Sequence, residues 1–396
     1  MSAKIRESIK SLESELRQWR RDFHRHPETG FKEFRTSRVI AQLLDEWGFE
    51  LRRDVAETGL VAVSRGRGSA DELPCIAFRC DMDALPLDEL STHDYKSEEP
   101  GIMHACGHDG HMAIMLGFAK WLASHRGKIP GHVKLIFQPA EEGLGGAQRM
   151  IAEGALDNPP VDNIVGMHLW NNLEVGKAGV RPGPLMASVD MFSILIKGKG
   201  GHGAMPQQTA DAVIMAGQVI TALQTVVSRK TDPRHPVVVT IGQVHAGTAP
   251  NIIAESAMLE GTARTFDPET RKILPQLIQH TADSVARAFG GRAELKWLSS
   301  YPATISDEKV AAMVAGAAGE VLGFENIVDD ETTMASEDMS YFLQKVPGCY
   351  FFLGSANSEK GLDEPHHSPR FDFDERALLL GVELFARCTE DFFAKL

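Results

Sequence analysis

Three short apolar runs, at 75–80, 132–138 and 162–168, each close on or lead into a group of polar side chains, and they constrain this chain more than any other feature. The stretch 111–125 between the first two has helical periodicity. Strand, helix, strand in that rhythm implies a crossover connection, and so a largely parallel sheet with helices on both faces. Further helices are expected at 4–25 and at 36–47, the second closed by Gly48, and again at 307–322 and 374–395, with another buried strand at 349–354.

From about residue 187 the texture changes. Strands are expected at 189–197, 236–244, 257–265 and 292–298, with helices at 211–229 and 269–289. That β-α-β-β-α-β order suggests a ferredoxin-like α+β insertion. The expected fold class is therefore α/β, with a large catalytic domain of 1–186 and 300–396, built on a mostly parallel mixed sheet, and an inserted domain at 187–299. A chain of 396 residues is too long for one ordinary compact core, which agrees with two domains.

Hydrophobic residues make up 43% and charged residues 24% with no low-complexity tract, as in a globular chain. No segment approaches the roughly 20 apolar residues needed to span a bilayer. Residues 1–21 are charged and amphipathic and lack the apolar stretch of a secretory signal, so a cytoplasmic protein is expected. The five cysteines are scattered without paired spacing, which favours reduced thiols over a disulfide framework. A formal charge of −13 without clustered Lys and Arg argues against a nucleic-acid binder.

The chemistry sits after the strands. Run 75–80 leads into Asp81-Met-Asp83, then comes His104-Ala-Cys106-Gly-His108-Asp109-Gly-His111, run 132–138 leads to Glu141-Glu142, and run 162–168 ends on His168. In open α/β sheets ligands bind beyond the carboxyl ends of strands, where these residues would gather. Thiolate, imidazole and carboxylate are the donors of zinc and of neighbours such as manganese, cobalt and nickel. There are more donors than one ion needs, so the expectation is two divalent ions about 3.5–4 Å apart. Adjacent side chains on an extended segment diverge, so one of Glu141 and Glu142 can bind metal while the other faces water as general base. Taken singly, each of these residues reads more blandly, as a satisfied core His or Cys or as a solvated acidic turn before Gly143.

Gly198-Lys-Gly200-Gly-His202-Gly203 matches the dinucleotide fingerprint between a strand and a helix. A nucleotide site also needs an acid at the end of the next strand, but that strand ends Ile241-Gly-Gln-Val244 and the first acid is Glu255. Nor is there a P-loop or a Gly-x-Ser-x-Gly elbow.

Phe23-His-Arg-His-Pro-Glu28, Arg79 to Pro86, His104 to His111, Gln138-Pro-Ala-Glu-Glu142, Gly166-Met-His168, Gly198 to Pro206, Pro250-Asn251, Gly261-Thr-Ala-Arg264, Ser336-Glu-Asp338 and His367-Ser-Pro-Arg-Phe371 together resemble the metal-dependent aminoacylase and carboxypeptidase family. The similarity is to its amidohydrolase branch, which includes hippurate hydrolase, indole-acetyl-amino acid hydrolases and N-acetyldiaminopimelate deacetylase. The resemblance implies metal ligands at Cys106, His108, Glu142, His168 and His367, with Glu141 as the base. Of the adjacent His366 and His367, the second matches the family ligand. Asp83 matches a motif aspartate and is expected to orient a histidine, while Asp81 is left without a role. His202 matches a donor to the developing oxyanion. Asn251 and Arg264 match groups that grip the substrate carboxylate, a task suited to a guanidinium fork. Met186, Ser336 and Glu337 are expected to line or brace the cleft, and His26-Pro-Glu28 to be structural. In relatives the insertion acts as a lid and dimer contact, which implies a homodimer or homotetramer and a hinge between domains.

The resulting expectation is a metal-dependent hydrolase of linear amides that cleaves N-acyl-L-amino acids, a small-molecule substrate, to a carboxylic acid and a free amino acid. A carboxypeptidase or dipeptidase with the same machinery is the first alternative. A metal-binding protein with a vestigial site is the second, and the presence of Glu141 argues against it.

Overall fold

The computed structural model describes residues 2–66 and 73–394. They group into two compact units, Met1–Leu185 with Ile305–Glu331 and Asp338–Leu396, and Met186–Thr304 with Thr332–Glu337. The short segment 332–337 therefore groups with the second unit, although its neighbours on both sides belong to the first.

The first unit is built on an eight-stranded sheet in the order Glu50–Val55, Gly59–Ser64, His132–Gln138, Cys75–Asp81, Asn163–Glu174, Gly348–Ala356, Ala178–Gly179, Ile327–Val328. The four central strands, from His132–Gln138 to Gly348–Ala356, are mutually parallel. Cys75–Asp81 and His132–Gln138 are buried at every position, as expected for strands covered on both faces. Helix His108–His125 is apolar nearly all round and buried over most of its length. Its Phe118 ring lies 4.7 Å from Phe78 of the sheet and 5.6 Å from Phe385 of helix Arg376–Ala394. Burying each such side chain contributes about 2–3 kcal/mol.

One local expectation needs correction, and one pair of strands is additional to those expected. The single helix expected at 4–25 is two, Ser2–Lys10 and Glu13–Arg25, separated by a turn in which the Leu12 N–H donates to the Ile9 carbonyl at 2.8 Å. The antiparallel pair Glu50–Val55 and Gly59–Ser64 at the sheet edge was not anticipated. Its outer strand reads Glu-Leu-Arg-Arg-Asp-Val and is largely exposed, so hydrophobic alternation does not mark it. Charge on an edge strand also discourages pairing with another chain.

The second unit is a four-stranded antiparallel sheet in the order Val237–Ala246, Ser256–Thr265, Ser188–Lys197, Arg292–Ser299, with helices Ala212–Thr225 and Pro268–Ala288 packed on it. In chain order the strands lie 2-3-1-4, the ferredoxin-like arrangement. Both helices start at aspartates whose carboxylates accept backbone N–H groups, Asp211 from Val213 and Ile214 and Asp267 from Thr270. One stretch, Ala212–Lys230, is long and apolar enough by length and composition to cross a membrane, which corrects the expectation that none approaches that length. Its Met215, Val219 and Leu223 are buried in the unit's core.

The glycine-rich Gly198–Gly203 loop is explained by close backbone approach. A Cβ on Gly203 would lie 2.9 Å from the Asn251 carbonyl, and one on Gly198 2.1 Å from the Ala210 carbonyl. The glycines let this loop pack against neighbouring backbone, which accounts for the fingerprint without a nucleotide.

Candidate metal centre

The polar residues after the central strands converge within the first unit. Gly107, at φ +89°, turns the chain into helix His108–His125 and sets Cys106 and His108 on either side of that turn. Three groups of donor atoms then come together, each lying within 4.8 Å of one another: Cys106, His108 and His168; Cys106, Glu142 and His367; and His108, Glu141 and Glu142. They contain each of the five expected ligands together with Glu141.

The histidine orientations show which lone pairs are bare. His108 Nδ1 donates to the Asp83 carbonyl at 2.8 Å, so Nε2 is the ring atom left to meet an ion once its proton is displaced, and that atom is buried with no hydrogen-bond partner among the described residues. His168 Nδ1 donates to the Leu169 carbonyl at 2.6 Å, and its Nε2 faces the Cys106 sulfur at 3.5 Å. His367 Nε2 lies 3.3 Å from a Glu142 oxygen, whereas the His366 Nε2 is engaged by the Leu169 carbonyl at 2.9 Å. Of the adjacent pair, His367 is the one facing the cluster.

Asp81, His108 and His111 form another group with donors in range. Hydrogen bonds already occupy most of it. His111 Nδ1 donates to Asp81 at 2.6 Å, the Leu169 N–H donates to His111 Nε2 at 2.9 Å, and Arg79 donates to the other Asp81 oxygen at 2.8 Å. That leaves His108 as its bare donor and gives Asp81 a definite role, to fix His111 against the strand that carries His168.

Electrostatics agree with a cation site. Burial pushes the Cys106 thiol up, and Glu142 and Glu141 push it further. Burial drives His108 down, but Asp81 and Asp83 more than reverse it, to about 10. A site negative enough to keep a proton on His108 that far is one where a divalent ion can take the proton's place and turn Cys106 into a thiolate. The donor set of thiol, imidazole and carboxylate fits zinc and its neighbours.

Asp83 does more than orient a histidine. Its two oxygens accept the N–H groups of Glu141 and Glu142, both at 3.0 Å, so one carboxylate fixes the backbone of both acids. The preceding Ala140 is left-handed at φ +55°, a conformation costing a non-glycine residue about 1–2 kcal/mol. The fully buried Glu33 holds it there by accepting the Ala140 N–H at 2.9 Å, while its other oxygen accepts from Thr58 at 2.6 Å. Sequence reasoning missed Glu33, because it lies just before helix Phe34–Glu46 and far from any strand end. The His26-Pro-Glu28 motif is structural: Glu28 accepts the N–H groups of Arg35 and Thr36 at the start of that helix.

Glu33 carries a testable pH signature. Burial raises its carboxyl to about 7, against the opposing hydrogen bond from Thr58. The folded-state pKa lies above the unfolded value, so this contribution to stability is full below about pH 4.5 and is lost as pH rises through about 7. Glu33→Gln keeps the side chain neutral. Its stability relative to wild type should therefore rise by on the order of 3 kcal/mol between about pH 4.5 and 8 in denaturant titrations. A difference that does not vary with pH would remove Glu33 from this role.

The other expected site residues lie in the second unit. His202 and Asn251 are exposed neighbours, joined by the ladder pairing Ile252 with His202 and by the Gly203 N–H donating to the Asn251 carbonyl at 2.8 Å. The Ala204 N–H donates to His202 Nδ1 at 3.1 Å, which places the ring proton on Nε2 as a donor. Arg264 is half-buried, donates to the Met334 carbonyl at 2.9 Å, and has no carboxylate partner among the described residues. Met186 bridges to Thr333, and Glu337 is buried.

A family model described as "Peptidase family M20/M25/M40" matches residues 77–391. The chain is 38% identical over 383 residues to "Thermostable carboxypeptidase 2" of Saccharolobus solfataricus, covering 96% of this chain and 95% of the relative. It is 40% identical over 379 residues to "N-acetylcysteine deacetylase" of Bacillus subtilis, covering 95% and 96%. A crystal structure of the Bacillus subtilis YXEP protein, described as a dinuclear metal binding peptidase from the M20 family, superposes with a TM-score of 0.85 at 36% identity, covering 98% of this chain and 99% of that one.

Proposed function

Since this chain belongs to peptidase family M20/M25/M40, a family of hydrolases, we propose that it cleaves N-acyl-L-amino acids to a carboxylic acid and a free amino acid. The observation that carries the reading is the Glu141-Glu142 pair, fixed by Asp83 beside four further donors, Cys106, His108, His168 and His367. In this reading Cys106, His108, Glu142, His168 and His367 hold two divalent ions of the zinc, manganese, cobalt or nickel type. When bound, such ions polarise the amide carbonyl and acidify the attacking water. Glu141 takes the proton from that water and delivers it to the departing amine, and the His202 Nε2–H donates to the oxygen on which charge develops.

Arg264 supplies substrate selection. A half-buried guanidinium without a carboxylate of its own suits the free carboxylate of an amino acid, and Asn251 is proposed to assist it. The five free thiols are in keeping with the cytoplasm, where we place the protein, working as a homodimer or homotetramer.

A carboxypeptidase reading is favoured by the relative of that name, and both activities need the same carboxylate grip. Acetyl-, benzoyl- and indole-acetyl-amino acids assayed beside dipeptides and longer peptides, each with added Mn, Zn, Co or Ni, separate them. Faster turnover of peptides than of every acyl amino acid would overturn the amidohydrolase reading. Arg264 has its own test, on substrates with a free or an amidated carboxylate. Wild type should prefer the free acid, and Arg264→Ala should reduce that preference by about tenfold, the loss of roughly one charge-assisted hydrogen bond. An unchanged ratio of kcat/KM would exclude the role.

A further inference from the structure

A second cluster of metal-type donors lies apart from the Cys106 group and has no part in the chemistry above. His24, on helix Glu13–Arg25, and Glu89 and His93, on the irregular segment after Asp83, bring ligand-type atoms within 4.8 Å of one another. We propose that His24, Glu89 and His93 form a further cation site, selective for a zinc-class divalent ion, that ties helix Glu13–Arg25 to the segment leading into His104 and Cys106.

The geometry is that of ligands around one ion. Glu89 Oε1 lies 3.3 Å from His24 Nε2 and 3.1 Å from His93 Nε2. Donors about 2.0–2.1 Å from a tetrahedral ion stand roughly 3.3 Å apart. The two imidazole centroids are 5.3 Å apart, against roughly 5 Å for two histidines on one such ion. Although His93 Nε2 is close to Glu89, neither ring nitrogen of His93 is in hydrogen-bonding alignment with any partner among the described residues, so its nitrogen points beside the carboxylate oxygen instead of at it.

The surroundings are those of a built site. His24 Nδ1 contacts Asp109 at 2.8 Å, and Arg20 grips the same Asp109 oxygen at 2.8 Å. A carboxylate behind a histidine in this way fixes the ring and turns Nε2 toward a metal. Glu89 is likewise held, its Oε2 accepting the Ser97 N–H at 2.7 Å, and His93 is stacked on Tyr95 at 3.8 Å. Glu89, Asp109 and Asp372 are buried carboxylates, and Arg20 is the buried guanidinium among them. The excess of two negative charges is what a divalent ion neutralises, whereas a single imidazolium leaves half of it. His93 is 16% exposed and gives the ion a way in.

The test uses the full chain, stripped of metal and re-equilibrated in zinc-buffered solution, with zinc per chain measured by mass spectrometry. His93→Ala and Glu89→Gln should each carry one equivalent less than wild type. Cobalt loading identifies which site is lost, because thiolate-to-cobalt absorption reports the Cys106 centre alone and should persist in both variants. Zinc should also raise the melting temperature of either variant less than that of wild type. Unchanged zinc content in both variants, or loss of the thiolate band along with the zinc, would overturn the assignment.

Discussion

Glu141→Gln is expected to retain its metal and bind substrate while turnover falls at least ~100-fold, the lower range for loss of a general base. Gln keeps the shape and volume of Glu but cannot take a proton from water. The backbone it hangs from should not move, because Asp83 holds it through the main-chain N–H at 3.0 Å. Glu142→Ala should behave differently. The Glu142 carboxylate lies against His367 and within range of both Cys106 and His108, so its removal should weaken metal retention as well as turnover. Metal analysis and single-turnover kinetics on the two variants separate the roles. If Glu141→Gln loses metal, or keeps near-normal turnover, the two acids have been assigned the wrong way round or the mechanism is another.

What could be read from the sequence follows from where the signal lies. Cys75–Asp81, His132–Gln138 and Gly348–Ala356 are buried at every position because both their faces are covered, and their mainly apolar runs stand out. The second unit was legible through alternation, with Ser188–Lys197 buried at every other residue. The Glu50–Val55 strand was not, since a charged, exposed edge carries neither pattern. At the site, donors beyond strand ends could be gathered from sequence, because topology brings strand ends together. Their supports could not. Glu33 reaches Ala140 across 107 positions, and Asp81 meets His111 across 30. Asp83 engages main-chain N–H groups, which every residue but proline has, so no side-chain pattern marks the contact. His24 and Glu89 sit 65 positions apart and come together only once helix Glu13–Arg25 packs.

Asp83 is accordingly the position where a residue that is neither a proposed ligand nor the base should have the largest effect. It accepts from Glu141 and Glu142 through separate oxygens, and its carbonyl accepts from His108 Nδ1 at 2.8 Å, so one residue positions the base and two proposed ligands. Asp83→Asn replaces one acceptor oxygen with an NH2 group facing a main-chain N–H, two donors where a donor and an acceptor stood. Losing a hydrogen bond to a charged acceptor costs about 1.5–3 kcal/mol, and here the loss falls on the segment that carries the base. The backbone carbonyl survives the substitution, so His108 keeps its orientation while Glu141 and Glu142 lose theirs. Metal affinity and kcat should both drop by roughly 10–100-fold, the range found when a ligand's supporting partner is removed. Asp83→Ala should be no less severe, because it strips both acceptors. If Asp83→Asn matches wild type in metal titration and in kcat, the two main-chain contacts do not position the acids.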